Sequence, residues 1–131
     1  MGYEVATALG APLDIFAPGV PRPDLGGATV VLVDDGLASG FTMLAAVHTL
    51  RELGPAAVVV AAPVMAPSAR AALAPIADVC ESIVTAESPP GVGMWYREFP
   101  ETTDDEVRRL LPQATDRARR KGRYAGATSP W

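Results

Sequence analysis

Two stretches of this chain, "TVVLV" (Thr29 to Val33) and "AAVVVAAP" (Ala56 to Pro63), run without the apolar–polar alternation of a half-wet strand. Continuous β-branched and small apolar runs of this length predict strands covered on both faces, the hallmark of parallel sheets sandwiched by helices. Between them lies "FTMLAAVHTLREL", which sets Leu44, Val47, Leu50 and Arg51 at helical steps and reaches Gly54 as its stop. A strand, a crossover helix and a second strand form a parallel unit, since a parallel pair needs a long connection.

The rest of the chain extends that pattern. "APSARAALAPIA" predicts a helix with Pro67 in its first turn and Pro75 as its kink or end, and "DVCESIV" a third strand. Before the first strand, "GYEVATALG" reads as a helix capped by Gly10, "PLDIFAP" as a short strand, and "GVPRPDLGG" as a loop. After the third, "TTDDEVRRLLP" opens on a Thr103–Glu106 capping box, adds acids in its first turn and is expected to close at Pro112. The expected fold is therefore α/β, a three-layer open parallel sheet with helices on both faces. At 131 residues one domain is expected, spanning 1–113, followed by a basic tail at 114–131 read as disordered.

Composition narrows the partners. A net charge of −4 and a pI near 4.9 argue against bulk nucleic-acid binding. Cys80 is the one cysteine, so no internal disulfide forms, which fits a reducing setting. The start lacks a basic segment followed by an apolar core, and no stretch approaches the length of a membrane span. A cytoplasmic protein without membrane or nucleic-acid partners is the expectation.

The stretch "VVLVDDGLASGFT", Val30 to Thr42, carries the chemistry. Asp34 and Asp35 fall at the carboxyl end of the first strand, where open parallel sheets bind ligands. Ala38, Ser39, Gly40, Phe41 and Thr42 lead into a helix whose free N–H groups and positive dipole end favour an anion, above all a phosphate. Gly40 permits a close backbone approach, and Ser39 and Thr42 add hydroxyl donors. Paired acids beside a phosphate cup suit a sugar phosphate: the cup takes the phosphate and the carboxylates accept hydrogen bonds from ribose hydroxyls. Acid pairs after a strand also occur in receiver domains and helix caps. A receiver, however, would place its pair on the first strand and an Asp on a later one, and "AAVVVAAPVMAP" has none.

This arrangement resembles the type I phosphoribosyltransferase family. The match runs through Val30-Val31-Leu32-Val33, Asp34-Asp35, Gly36-Leu37 and Ala38-Ser39-Gly40-Phe41-Thr42. The resemblance implies that Asp34 and Asp35 bind the ribose 2- and 3-hydroxyls of phosphoribosyl pyrophosphate and act in catalysis, that Ala38 to Thr42 bind its 5-phosphate, and that Mg²⁺ accompanies the substrate. "GAPLDI", "VVVAAPV" and "GVGMWYREFPETTDDEV" extend the likeness, from about Tyr3 to Leu111, to a bacterial subfamily often found beside or fused to esterase or hydrolase domains. Phosphoribosyl pyrophosphate or a nucleoside monophosphate is the implied ligand.

Departures from the family pattern are as informative. The first strand with its pyrophosphate loop, and the flexible hood between Phe16 and Asp24, are expected to be missing, leaving Arg22 as the sole cation there and Lys121 as the only lysine. Loss of an interior strand predicts either "PLDIF" moved against "TVVLV" or a homodimer that covers the gap. A non-catalytic ribose-phosphate-binding module is the alternative function. Trp95 reads either as a base contact, as the resemblance implies, or as core. Glu98 reads as a surface acid or an aid to a magnesium–water network, His48 as structural, and Cys80 as a buried apolar residue. The basic tail, with Arg117, Arg119, Arg120, Lys121 and Arg123, reads as a solvated end or a grip for an acidic partner.

Overall fold

A computed structural model describes residues 1–15, 24–87 and 91–120. The chain divides into two compact units, one built from its two ends and one from residues 24–99. The larger unit holds the sheet. Strand β1 (Thr29–Val33) pairs with β2 (Ala57–Met65), which pairs with β3 (Val79–Thr85), all parallel and in sequence order. The chain crosses over through two helices, here named α2 (Phe41–Glu52) and α3 (Pro67–Leu73). Strands that advance in one direction through right-handed crossovers carry their helices on one face. Met43 and Val47 from α2, Ala69 and Leu73 from α3, and Val58, Val60 and Ala62 from β2 accordingly share one core.

The expected α/β class and parallel order are what the structure has, with two corrections inside the sheet. β1 is half-buried and Thr29 exposed, since among the described residues β1 is an edge strand. β2 is not uniformly buried either. Its residues alternate between fully buried positions toward the helices and half-buried positions on the other side. β3 alternates more sharply, and Ile83 is 87 % exposed on its outer side. β2 is uninterruptedly apolar because it is the central strand, with a neighbour on each edge and helices over one face.

Two side-chain straps tie helices to strands. Arg51, at the end of α2, donates from Nη2 to Asp78 Oδ2 (2.6 Å) and from Nε to the Ile76 carbonyl (2.9 Å); the Val58 N–H donates to the same Asp78 oxygen (2.6 Å). Arg70 of α3 donates to the Cys80 carbonyl and to Ser82 Oγ, each at 2.6 Å. Gly54 follows α2 as expected, its N–H returning to the Arg51 carbonyl at 3.1 Å.

The smaller unit contains α1 (Gly2–Leu9) and α4 (Asp104–Arg120). Gly10 caps α1 as expected. "PLDIFAP" forms no strand over Pro12–Ile15, so its pairing with "TVVLV" is not seen there; Phe16 and Ala17 lie outside the described residues. Thr103 does cap α4, its hydroxyl accepting from the Glu106 N–H at 3.3 Å. The helix then runs through Pro112 rather than ending there, and the boundary expected after residue 113 falls inside it. Pro112 is exposed, so its missing N–H leaves the freed carbonyl within reach of water. Beyond it Ala114 is buried, and Arg117 donates to Thr7 Oγ1 (2.6 Å) and to the Tyr3 hydroxyl (3.2 Å), which holds the later turns against α1. Residues 121–131, with Lys121 and Arg123, lie outside the described residues, as does Arg22.

Candidate functional site

The carboxyl end of β1 builds the site. The Asp34 N–H still donates to the Ala61 carbonyl (3.1 Å), the last rung of the strand. The chain then leaves the sheet at Asp35 and Gly36 and rejoins it at Leu37, whose N–H donates to the Val64 carbonyl (3.0 Å) and whose carbonyl accepts from the Ala66 N–H (2.8 Å). Leu37 is 5 % exposed and anchors the loop from below. Gly36 is dictated by space: a Cβ there would sit 2.5 and 2.8 Å from the Val92 methyls and 2.9 Å from Val64.

Gly40 is dictated by both conformation and space. Its φ is 73°, in the left-handed region, and a Cβ on it would lie 3.0 Å from that of Ala69. This turn starts α2, with the Leu44 N–H donating to the Gly40 carbonyl (2.8 Å). No side chain caps the helix, so its first-turn N–H groups remain donors for something outside it. Asp34 and the run Gly36 to Met43 enclose a cleft of about 200 Å³ over that helix start. Ser39 and Thr42 are exposed, and Phe41 is 76 % exposed at the rim.

Burial pushes the Asp34 carboxyl up, and the neighbouring Asp35 carboxylate adds to the shift; the Asp35 N–H, donating to Asp34 Oδ1 at 2.9 Å, opposes it. Tyr96, just past a 3₁₀ turn at Val92–Trp95, donates its hydroxyl to the Asp35 carbonyl. Burial raises the Tyr96 phenol as well, reinforced by the charges of Asp35 and Asp34.

The sequence profile of the phosphoribosyl transferase domain matches residues 4–95. The chain belongs to that family. Two Mycobacterium tuberculosis proteins, from strains CDC 1551 and H37Rv, each named "Putative phosphoribosyl transferase", are 39 % identical to it over 112 residues, or 86 % of this chain. The chain spans 24 % of the length of these relatives. The crystal structure of TT1426 from Thermus thermophilus is similar with a TM-score of 0.66 and 38 % identity, covering 73 % of this chain and 46 % of that one.

In this phosphoribosyl transferase domain, Asp34, Ala38, Ser39, Gly40, Phe41 and Thr42 come together around one cleft. Asp35 lies beside it but is not in its wall, and Trp95 does not line it either. Trp95 is 45 % exposed, which also sets it outside the core. Glu98 and His48 are exposed, and Cys80 is half-buried, with its thiol pushed up by burial. Tyr96 stands out in the sequence only as part of "VGMWY", with no role that its neighbours reveal. Its neighbour Trp95 draws attention by size, whereas the role of Tyr96 depends on a partner 61 positions away. No helix among the described residues is long and apolar enough to cross a membrane.

Proposed function

We propose that this chain binds the ribose 5-phosphate part of phosphoribosyl pyrophosphate, or of a nucleoside monophosphate, in the cleft over α2, and transfers the phosphoribosyl group to or from a nitrogenous base. One observation carries the reading: an uncapped helix start behind a left-handed Gly40 shares its cleft with Asp34. The amides and the Ser39 and Thr42 hydroxyls take the 5-phosphate. Asp34 and Asp35 accept hydrogen bonds from the ribose hydroxyls and stabilise the positive charge that develops on the ring as the C1–O bond to pyrophosphate breaks and a C1–N bond forms. Pyrophosphate leaves with the bonding electrons, and the proton displaced from the base passes to solvent.

Among the described residues no group of three or more His, Cys, Asp or Glu side chains converges to hold a metal by itself. One or two carboxylates together with substrate phosphates suit Mg²⁺, so Asp34 and Asp35 fit an ion that arrives with phosphoribosyl pyrophosphate. When bound, Mg²⁺ neutralises charge on the leaving pyrophosphate. A homodimer in the cytoplasm remains part of this reading, with neither nucleic acid nor membrane as partner.

A second reading, a ribose-phosphate-binding module without turnover, is favoured by the absence of any Lys or Arg from the cleft wall among the described residues. Holding the 5-phosphate equally in ground and transition states does not raise turnover, and lacking one electrostatic element at the leaving group costs about a hundredfold or more. Slow turnover is therefore expected of this chain alone. The test is pyrophosphate release from phosphoribosyl pyrophosphate with Mg²⁺ and a panel of purine and pyrimidine bases. Release that depends on one base and is lost in Asp34→Asn/Asp35→Asn supports transfer. Binding without release supports the module, and no binding overturns both.

A further inference from the structure

We propose that the segment Gly91 to Phe99 is a clamp on the acidic loop, and that Tyr96 is the positioning residue that sets where Asp34 and Asp35 present their carboxylates to a ribose. The inference deepens the function proposed above and rests on it. Two independent contacts from this one segment meet the two residues that leave the sheet. The Tyr96 hydroxyl donates to the Asp35 carbonyl, which fixes the peptide joining Asp35 to Gly36. The side chain of Val92 presses on Gly36 so closely that no Cβ fits between them. Loop and segment therefore interlock, and Gly36 is the socket.

The clamp is itself braced. Tyr96 packs at a tilt against Phe99, ring centroids 4.9 Å apart at 44°, and the Tyr96 N–H donates to the Gly93 carbonyl at 3.1 Å. Phe99 in turn lies against Gly93, within 3.1 Å of where a Cβ would be. The phosphate cup is held differently. Gly40 rests on Ala69 of α3 and Leu37 on the end of β2, and neither depends on Tyr96. The clamp thus acts on the sugar side of the cleft and leaves the phosphate side alone. Mobility of the Asp35–Gly36 peptide would blur the carboxylate positions without disturbing the anion cup.

The experiment uses the whole chain with Tyr96→Phe, which keeps the ring and its contact with Phe99, and Val92→Ala, which removes methyls from the socket. Titration calorimetry with ribose 5-phosphate and with inorganic phosphate reads the two sides separately. Hydrogen exchange at the amides of Asp35 and Gly36 reads the clamp with no ligand present. Loss of one hydrogen bond predicts that Tyr96→Phe weakens ribose 5-phosphate about five- to tenfold, leaves inorganic phosphate within about twofold, and speeds exchange at those amides. Val92→Ala weakens ribose 5-phosphate and speeds the exchange by less, again leaves inorganic phosphate in place, and carries the test if Tyr96→Phe fails to fold. Equal weakening of both ligands, or unchanged exchange at the loop amides, overturns the clamp. If the unaltered chain takes inorganic phosphate but not ribose 5-phosphate, the function proposed above fails. The exchange measurement still decides whether the loop is clamped.

Discussion

In the proposed function Asp34 sits at a conflict between binding and folding. Burial and the adjacent Asp35 raise its pKa in the folded chain. For a carboxylate, a raised folded pKa means that ionisation disfavours the native state. The handicap is present above the folded value and absent below the unfolded one. Asp34→Asn is therefore expected to raise the melting temperature at pH 7 by about a degree or two, a gain that disappears as the pH falls and the native carboxyl protonates. The same substitution should weaken ribose phosphates more than inorganic phosphate. Calorimetric melts at pH 7 and pH 3, with one ligand titration each, check both halves. Gly40 has the opposite balance. Alanine there would adopt a left-handed conformation costing about 1 kcal/mol and bring its Cβ to 3.0 Å from that of Ala69. A loss of about 1–2 kcal/mol in denaturant unfolding, together with weaker phosphate binding, is expected. Full stability in Gly40→Ala would show that the turn relaxes.

The strands and helices were largely legible. β1 lies on Thr29–Val33, and α2 ends where Gly54 predicts. Continuous apolar strands, a stop glycine and a capping threonine are local signals, and they survive into the fold. What the sequence concealed depends on neighbours. β1 and β2 have similar composition, but one is an edge and the other central in the described sheet, and composition does not encode place. Pro112 is a helix stop by local rule; tertiary contacts from Ala114 and Arg117 carry α4 past it. At the cleft, the wall from Ala38 to Thr42 was readable because it is contiguous, and the Tyr96 contact was not because it reaches across the chain. The Asp78 strap is of the same long-range kind. The Val58 N–H, then Arg51, hold the Asp78 carboxyl below its ordinary value of 3.8. A lowered carboxylate stabilises the fold above its unfolded pKa, and that contribution is lost as the pH falls through the folded value. The melting temperature of the unaltered chain should therefore drop more steeply below about pH 4 than that of Asp78→Asn, which starts lower at pH 7. Parallel melting curves between pH 7 and pH 2.5 would mean that the strap contributes nothing.

For the molecule as a unit of function, two properties matter: how it associates and what it holds. β1 offers an apolar strand with no partner on its outer edge among the described residues, and such an edge invites pairing with another chain. A homodimer is expected at micromolar concentration, and Val31→Lys, a charge on β1, should shift it toward monomer. Sedimentation velocity reads both, and a monomer at every concentration would remove the expectation. The ligand is the larger matter. Amide spectra of the isotopically labelled chain, titrated with phosphoribosyl pyrophosphate and Mg²⁺, report binding residue by residue without requiring turnover. Saturable shifts should centre on Ser39 to Met43 and on Asp34 to Gly36. The Asp34→Asn/Asp35→Asn chain should lose at least about tenfold in affinity for phosphoribosyl pyrophosphate, while inorganic phosphate still moves Ser39 to Met43. Amides of Ser39 to Met43 that stay in place up to about 10 mM ligand, or shifts confined to another part of the chain, would contradict a ribose-phosphate site at the end of β1.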